Sequence, residues 1–232
     1  MKTISFDLWN TLIQSNPAFL KARVDMIKHV TTLSEKEIER TYKMFKSDID
    51  STFEKFGMQF SLDDLYTMLY AQLQIDDKKM TVDTFMRLYT YTFFENMPTL
   101  KEGVKEVLEY CKDNGYKMCI ASNTVLIPPA LLRGVLSTYG IYDYFDFMIF
   151  SDEIKCSKPN PQFFAQIQIQ SKCLKRNIIH VGDSRITDID GAMNYGFKTI
   201  VVKDDLDTLP ARIESLFDNK HEQALIELNI FN

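Results

Sequence analysis

From Leu100 onward the sequence alternates strictly between short apolar runs and longer amphipathic ones, and that order admits few architectures. The runs YKMCIASN (116–123), FDFMIFS (145–151), NIIHVGDS (177–184) and KTIVVK (198–203) are nearly continuous in apolar residues, as strands buried on both faces must be. Helices are predicted near 128–139, from Pro161, near 188–195 and near 209–218. Ahead of them the polar segment KEGVKEVLEYCKDNG stops at Gly115, a residue suited to the position just past a helix end. A helix between successive strands returns the chain across the sheet, so the strands run parallel and are covered on both faces. The expected fold class is therefore α/β, a Rossmann-like parallel sheet, and the short run TISFDL (3–8) joins it most economically.

Between that first strand and Leu100 only helical periodicity is present. SEKEIERTYKMFKSDIDSTFEKF interleaves acids and bases at helical spacing and opens with a capping box, Ser34 and Glu37. SLDDLYTMLYAQLQI from Ser61 and TVDTFMRLYTYTFFENM from Thr81 each begin with a hydroxyl residue able to cap. A chain of 232 residues is long for one small domain. The expected organisation is a core of residues 1–14 and 98–232 with a helical bundle, 15–97, inserted after the first strand. The aromatics of LYTYTFF (88–94) read as bundle core, and the tail LIELNIF (225–231) is apolar enough to dock without being assignable.

Composition narrows the partners. The 27 basic and 32 acidic residues give a net charge of −5, whereas a surface that neutralises a nucleic-acid backbone is normally basic; neither nucleic acid nor an anionic membrane is an expected partner. Four cysteines, Cys111, Cys119, Cys156 and Cys173, form no C-x-x-C pair and read as reduced thiols. Asp7 interrupts the N-terminal apolar run too early for a secretory segment, and no apolar stretch approaches membrane-spanning length, so a cytoplasmic protein is expected.

In an open parallel sheet, ligands gather beyond the carboxyl ends of the strands. There the sequence sets Asp7 with Trp9, Asn10 and Thr11 after the first strand, Ser122 and Asn123 after the second, and Gly182, Asp183 and Ser184 after the fourth, with Asp188 five residues on; the loop before Pro161 adds Lys155 and Lys158. Carboxylates brought together repel, and a hard divalent cation such as Mg2+ is the simplest way to hold Asp7 and Asp183 ionised side by side. With it, Asp7 could attack phosphorus, Ser122 and the Asn123 N–H could bind a phosphate oxygen, and Lys158 could offset developing charge.

Four motifs carry a resemblance to a known family: FDLWNTL (6–12), IASN (120–123), KPNPQFF (158–164) and VGDSRITDIDGA (181–192). In this order and spacing, from Ile4 to about Val202, the chain resembles the haloacid dehalogenase-like hydrolases. The resemblance implies an inserted helical cap, Asp7 as nucleophile, Ser122 and Lys158 as ligands of the transferred group, and Mg2+ held by Asp7, Asp183 and the main-chain carbonyl of Trp9. Asp188 would support Lys158 or the metal shell, and the substrate would be a small phosphorylated metabolite.

One position departs from the pattern. Phosphatases of this family usually carry a second Asp two residues after the nucleophile, as the acid that protonates the leaving group; here that residue is Trp9, whose indole N–H does not titrate usefully. An aromatic residue there resembles the family's 2-haloacid dehalogenases, which need no Mg2+ and lack the paired acids of the fourth motif, whereas GDSRITD (182–188) keeps both. No arginine stands where the dehalogenases place theirs in the cap, although Arg23 and Arg40 are available; a phosphonoacetaldehyde hydrolase likewise lacks the second Asp and uses a Schiff-base lysine of the cap, which Lys21, Lys28, Lys43 and Lys46 leave open without supporting. The remaining alternative is a non-catalytic phosphate-ligand binder in which Trp9 has displaced the chemistry or simply packs at the hinge. His180, inside NIIHV, reads as a satisfied core histidine. Substrate identity and oligomeric state carry no signature in the sequence.

Overall fold

The computed structural model describes residues 1–218, so LIELNIF (225–231) and His221 lie outside the described residues. Strand β1 (Thr3–Phe6) is followed by a two-residue strand β2 (Ile13–Gln14) and four helices, α1 (Pro17–Ile27), α2 (Glu35–Phe56), α3 (Leu62–Gln72) and α4 (Val82–Glu95). The chain returns through β3 (Thr99–Leu100) and α5 (Val104–Asp113), β4 (Lys117–Ser122), α6 (Pro129–Thr138), β5 (Phe147–Phe150), α7 (Ser151–Ile154) and α8 (Pro161–Ser171). It then runs through β6 (Ile178–Gly182), a π-helical turn (Arg185–Asp190), α9 (Gly191–Tyr195), β7 (Lys198–Val201) and α10 (Leu209–Phe217).

The large sheet is five-stranded in the order β5-β4-β1-β6-β7, and every pairing in it is parallel. The N-terminal strand is thus the centre of the sheet, with Phe6 opposite Ile120 on one side and Val181 on the other. It is buried on both faces: Thr3, Ile4, Ser5 and Phe6 are all fully shielded. Because the chain runs outward to β5 on one side of β1 and to β7 on the other, the strand order reverses at β1, and a crevice opens beyond its carboxyl end.

The four helices owe their starts to side-chain caps. Asn16, Ser34, Ser61 and Thr81 each accept a backbone N–H of the first turn, and Ser34 with Glu37 forms the full capping box. They pack on an aromatic core in which Tyr66, Phe85 and Tyr89 are almost fully buried. Phe19 contacts Tyr89 and Phe93 edge-on at 5.5 Å, and Tyr66 contacts Tyr89 at 5.5 Å. LYTYTFF divides by helical period: Tyr89 and Phe93 face in, Tyr91 and Phe94 face out.

Several boundaries differ from the sequence reading. Strand β1 stops at Phe6, two residues early, because the chain turns after Asp7, whose N–H still reaches Val181 O at 2.8 Å. The helix expected near 188–195 begins at Arg185 as a π-helical turn, since Ser184 O accepts both the Asp188 and Ile189 N–H groups and Ser184 Oγ caps Thr187. The antiparallel ribbon β2/β3 was not anticipated: two residues are too few to show any periodicity.

Candidate active site at the carboxyl edge of the sheet

Three strand ends and one turn converge over the crevice. Asp7 follows β1 and is 6% exposed, Ser122 ends β4, Asp183 follows β6, and Lys158 comes from the turn before α8 and is 1% exposed. The Lys158 ammonium donates to Asp7 Oδ1 at 2.7 Å and to Asp188 Oδ1 at 2.6 Å. Carboxylate oxygens of Asp7, Asp183 and Asp188 all lie within 4.8 Å of one another. Thr11 Oγ1 donates to the second oxygen of Asp7 at 3.3 Å.

Each group is held by a partner behind it. Asn123 clamps the Lys158 turn: its Oδ1 accepts the Lys158 N–H at 2.8 Å and its Nδ2 donates to Lys158 O at 2.9 Å. Asp188 accepts the Ser184 N–H at 3.0 Å, and its Oδ1 lies 3.2 Å from His180 Nε2. Assigning that ring nitrogen the proton leaves Nδ1, 3.0 Å from Ser5 Oγ, as the acceptor. His180 is therefore fully buried and satisfied, and burial pushes its pKa down toward the neutral form. Gly182 has to be glycine, because a Cβ there would sit 2.3 Å from Asp188 Cγ.

The charges do not balance within the protein. Burial pushes Asp7 up to about 7, against the opposing pull of Lys158. At Asp188 burial acts in the same direction, but Lys158 and His180 outweigh it and hold the carboxyl well below the usual range. Burial, then the nearby Asp188 charge, raises Asp183. The single ammonium is shared between Asp7 and Asp188, and three carboxylates against one ammonium leave two negative charges. An all-oxygen donor set with that deficit fits a divalent hard cation of the Mg2+ type.

Of the residues singled out from sequence, Asp7, Trp9, Asn10, Ser122, Asn123, Lys158, Asp183 and Asp188 all line one cavity of about 610 Å3 between the sheet edge and α1, α2 and α4. Lys155 does not reach it; its ammonium is exposed and pairs with Asp152 at 3.1 Å. Trp9 packs edge-on against Phe93 at 6.4 Å. Arg40 is absent from the cavity wall, whereas Arg23, Lys43 and Lys46 lie in it. Sequence reasoning missed Thr11 as a partner of Asp7 and the use of the Asn123 side chain as a clamp. The first had a signal in its position four residues after the carboxylate; the second needed the β4 edge and the Lys158 turn to be seen side by side.

Comparison with known proteins finds relatives that span most of the chain. The sequence profile described as haloacid dehalogenase-like hydrolase matches residues 4–202. The mouse haloacid dehalogenase-like hydrolase domain-containing protein 3 is 22% identical over 210 residues, covering 87% of this chain and 82% of its own. A glyceraldehyde 3-phosphate phosphatase of Methanothermobacter thermautotrophicus is 24% identical over 212 residues, covering 89% and 87%. Among solved structures, the hydrolase YfnB from Bacillus subtilis, bound to magnesium, superposes with a TM-score of 0.69 at 16% identity, over 91% of this chain and 98% of that one.

Proposed function

The chain belongs to the haloacid dehalogenase-like hydrolase family, whose profile spans residues 4–202, and on that footing we propose that it is an Mg2+-dependent phosphohydrolase of small phosphorylated metabolites. Asp7 attacks phosphorus, the bond from phosphorus to the leaving oxygen breaks, and an aspartyl-phosphate forms; water then attacks that phosphorus, releasing inorganic phosphate and restoring the carboxylate. Lys158, Ser122 and the Asn123 N–H hold the phosphoryl oxygens. Asp188 keeps the Lys158 ammonium in place. Asp7, Asp183 and the Trp9 carbonyl would hold Mg2+, which supplies neutralisation of the substrate's phosphate charge. The helical segment 15–97 acts as a cap over the core, excluding water while the reaction proceeds.

The observation that carries this reading is the cluster itself, a buried carboxylate within 2.7 Å of a buried ammonium, with two further acids beside it on the floor of a cavity. The phosphatase name of the archaeal relative and the magnesium in the Bacillus neighbour support it. Trp9 leaves the leaving group without the customary proton donor, so the favoured substrates are those whose leaving group departs as an anion, such as acyl or aryl phosphates, or brings its own acid. Among the described residues no helix is long and apolar enough to cross a membrane.

The test is Mg2+-dependent phosphate release from p-nitrophenyl phosphate and acetyl phosphate. Wild type should release phosphate and Asp7→Asn should not; equal rates would overturn the assignment. The aromatic residue beside the nucleophile favours one second reading, a metal-independent 2-haloacid dehalogenase. Halide release from 2-haloacids that survives chelation would establish it instead.

A further inference from the structure

Among the described residues only three buried side-chain nitrogen or oxygen atoms lack a hydrogen-bond partner, and two of them, Arg23 Nε and Tyr42 Oη, belong to one spot in the cavity wall. The Arg23 guanidinium, on α1, is boxed by Phe19 at 4.4 Å, Tyr42 at 4.5 Å and Tyr89 at 5.8 Å. Its Nη1 donates to Tyr89 Oη at 3.0 Å. No carboxylate of the described residues pairs with it, although it is walled in by rings.

Arg23 is half-buried, and a guanidinium hemmed in by rings without a counter-ion leaves its buried Nε donor unmade, which is costly. Stacking on aromatic faces recovers part of this but leaves the in-plane donors unused. With Nη1 engaged, the edge left without a partner is the one that presents Nε–H and an Nη2–H side by side, the fork that matches the two oxygens of a carboxylate. The Tyr42 hydroxyl adds a third unused donor beside it.

We propose that Arg23, with Tyr42, is the specificity determinant of this site, and that the substrates are phosphorylated carboxylic acids whose carboxylate occupies the Arg23 fork while the phosphate lies at Asp7 and Lys158. The proposal rests on the phosphohydrolase reading and narrows it. Charge favours a carboxylate over a second phosphate: the helical wall carries the bases Arg23, Lys43 and Lys46 and the acids Asp50, which pairs with Lys46, and Glu54, one surplus positive charge that matches a monoanion. The rings of Trp9, Phe93 and Phe19 line the same cavity and offer apolar surface to the carbon skeleton of such a substrate.

The experiment compares matched non-hydrolysable pairs, phosphonoacetate against ethylphosphonate and 3-phosphonopropionate against propylphosphonate. Each is titrated calorimetrically in Mg2+ into wild type, Arg23→Lys and Tyr42→Phe. A bidentate charged hydrogen bond predicts that wild type binds at least one carboxylated member about 10–100-fold tighter than its partner. Arg23→Lys, which keeps the charge and removes the fork, should cut that ratio to within about threefold of unity, and Tyr42→Phe should cut it less. Equal wild-type affinity within both pairs, or a ratio that survives Arg23→Lys, overturns the proposal; the wild-type ratio decides the matter even where a variant fails to fold. Equal binding alongside hydrolysis of p-nitrophenyl phosphate defeats this inference alone, whereas no binding and no hydrolysis defeats the phosphohydrolase reading with it.

Discussion

Lys158→Met removes the one cation that the buried acids share and keeps nearly the same side-chain length. The ammonium sits 2.7 Å from Asp7 and 2.6 Å from Asp188, and the three side chains are 2%, 8% and 1% exposed. Leaving such charges without their partner typically costs about 3–5 kcal/mol. For a chain of this size each kcal/mol moves the melting midpoint by about 2–4 °C, so a fall of roughly 6–20 °C is expected in the metal-free protein at pH 8. The pH dependence follows from linkage. In wild type Asp188 is held below its unfolded pKa, so its stabilisation is present above about pH 4 and is lost as the pH falls through the lower folded value. In the variant the pull of Lys158 is gone from Asp188 and Asp7, and only His180 and the Ser184 N–H at Asp188 and Thr11 at Asp7 still oppose burial, so both folded pKa values rise relative to wild type and the stability present above about pH 4 shrinks. The gap between the two proteins should therefore be widest at pH 8 and close toward pH 4. Thermal and urea unfolding in a chelator at pH 8, 6 and 4.5 measure it. A midpoint unchanged at pH 8, or a gap of the same size at every pH, would refute the shared-cation argument.

Restoring an acid with Trp9→Asp should raise kcat/KM for an unactivated alkyl phosphate by about 10²–10⁴-fold; no gain would show that more than the proton donor is missing. Gly182→Ala places a methyl 2.3 Å from Asp188 Cγ and should displace that carboxylate from Lys158. The expected result is a loss of about 1–3 kcal/mol in urea unfolding together with slower p-nitrophenyl phosphate turnover, and wild-type values for both would contradict the packing. Because burial holds Asp7 up to about 7, Mg2+ binding below that pH must displace a proton. Calorimetric affinity should weaken by up to about tenfold per pH unit between 7 and 5 and level off above 8; constant affinity across this range would exclude Asp7 as a ligand.

The parallel sheet was legible because β4 and β6 are buried on both faces, which forces near-continuous apolar runs that the half-buried edge strands β5 and β7 still echo, and the helices were legible where a hydroxyl cap such as Ser34, Ser61 or Thr81 opens them. That β1 is central rather than an edge strand follows from pairing between residues more than a hundred positions apart, which local pattern does not encode. Asp7, Lys158, Asp183 and Asp188 could be singled out because each follows a strand or lies beside a helix start at the same edge of the sheet. The roles of Thr11, Asn123 and Arg23 depend instead on which neighbour each side chain meets. Arg23 illustrates the limit: in PAFLKAR it is one base among many, and only the rings of Phe19, Tyr42 and Tyr89 around it make it unusual.

The two-rung ribbon in which Ile13 faces Leu100 and Gln14 faces Thr99 ties together the chain's exit from the sheet and its return. The four helices hang from this stalk as a closed excursion that contributes nothing to the order of the strands. Closure entropy grows only slowly with loop length, by about 0.6 kcal/mol for a doubling, so a longer or differently built excursion could be grafted at the same two rungs with little thermodynamic consequence for the sheet. Exchanging the helices above the acidic cluster would leave the pairing of β1 with β4 and β6 untouched.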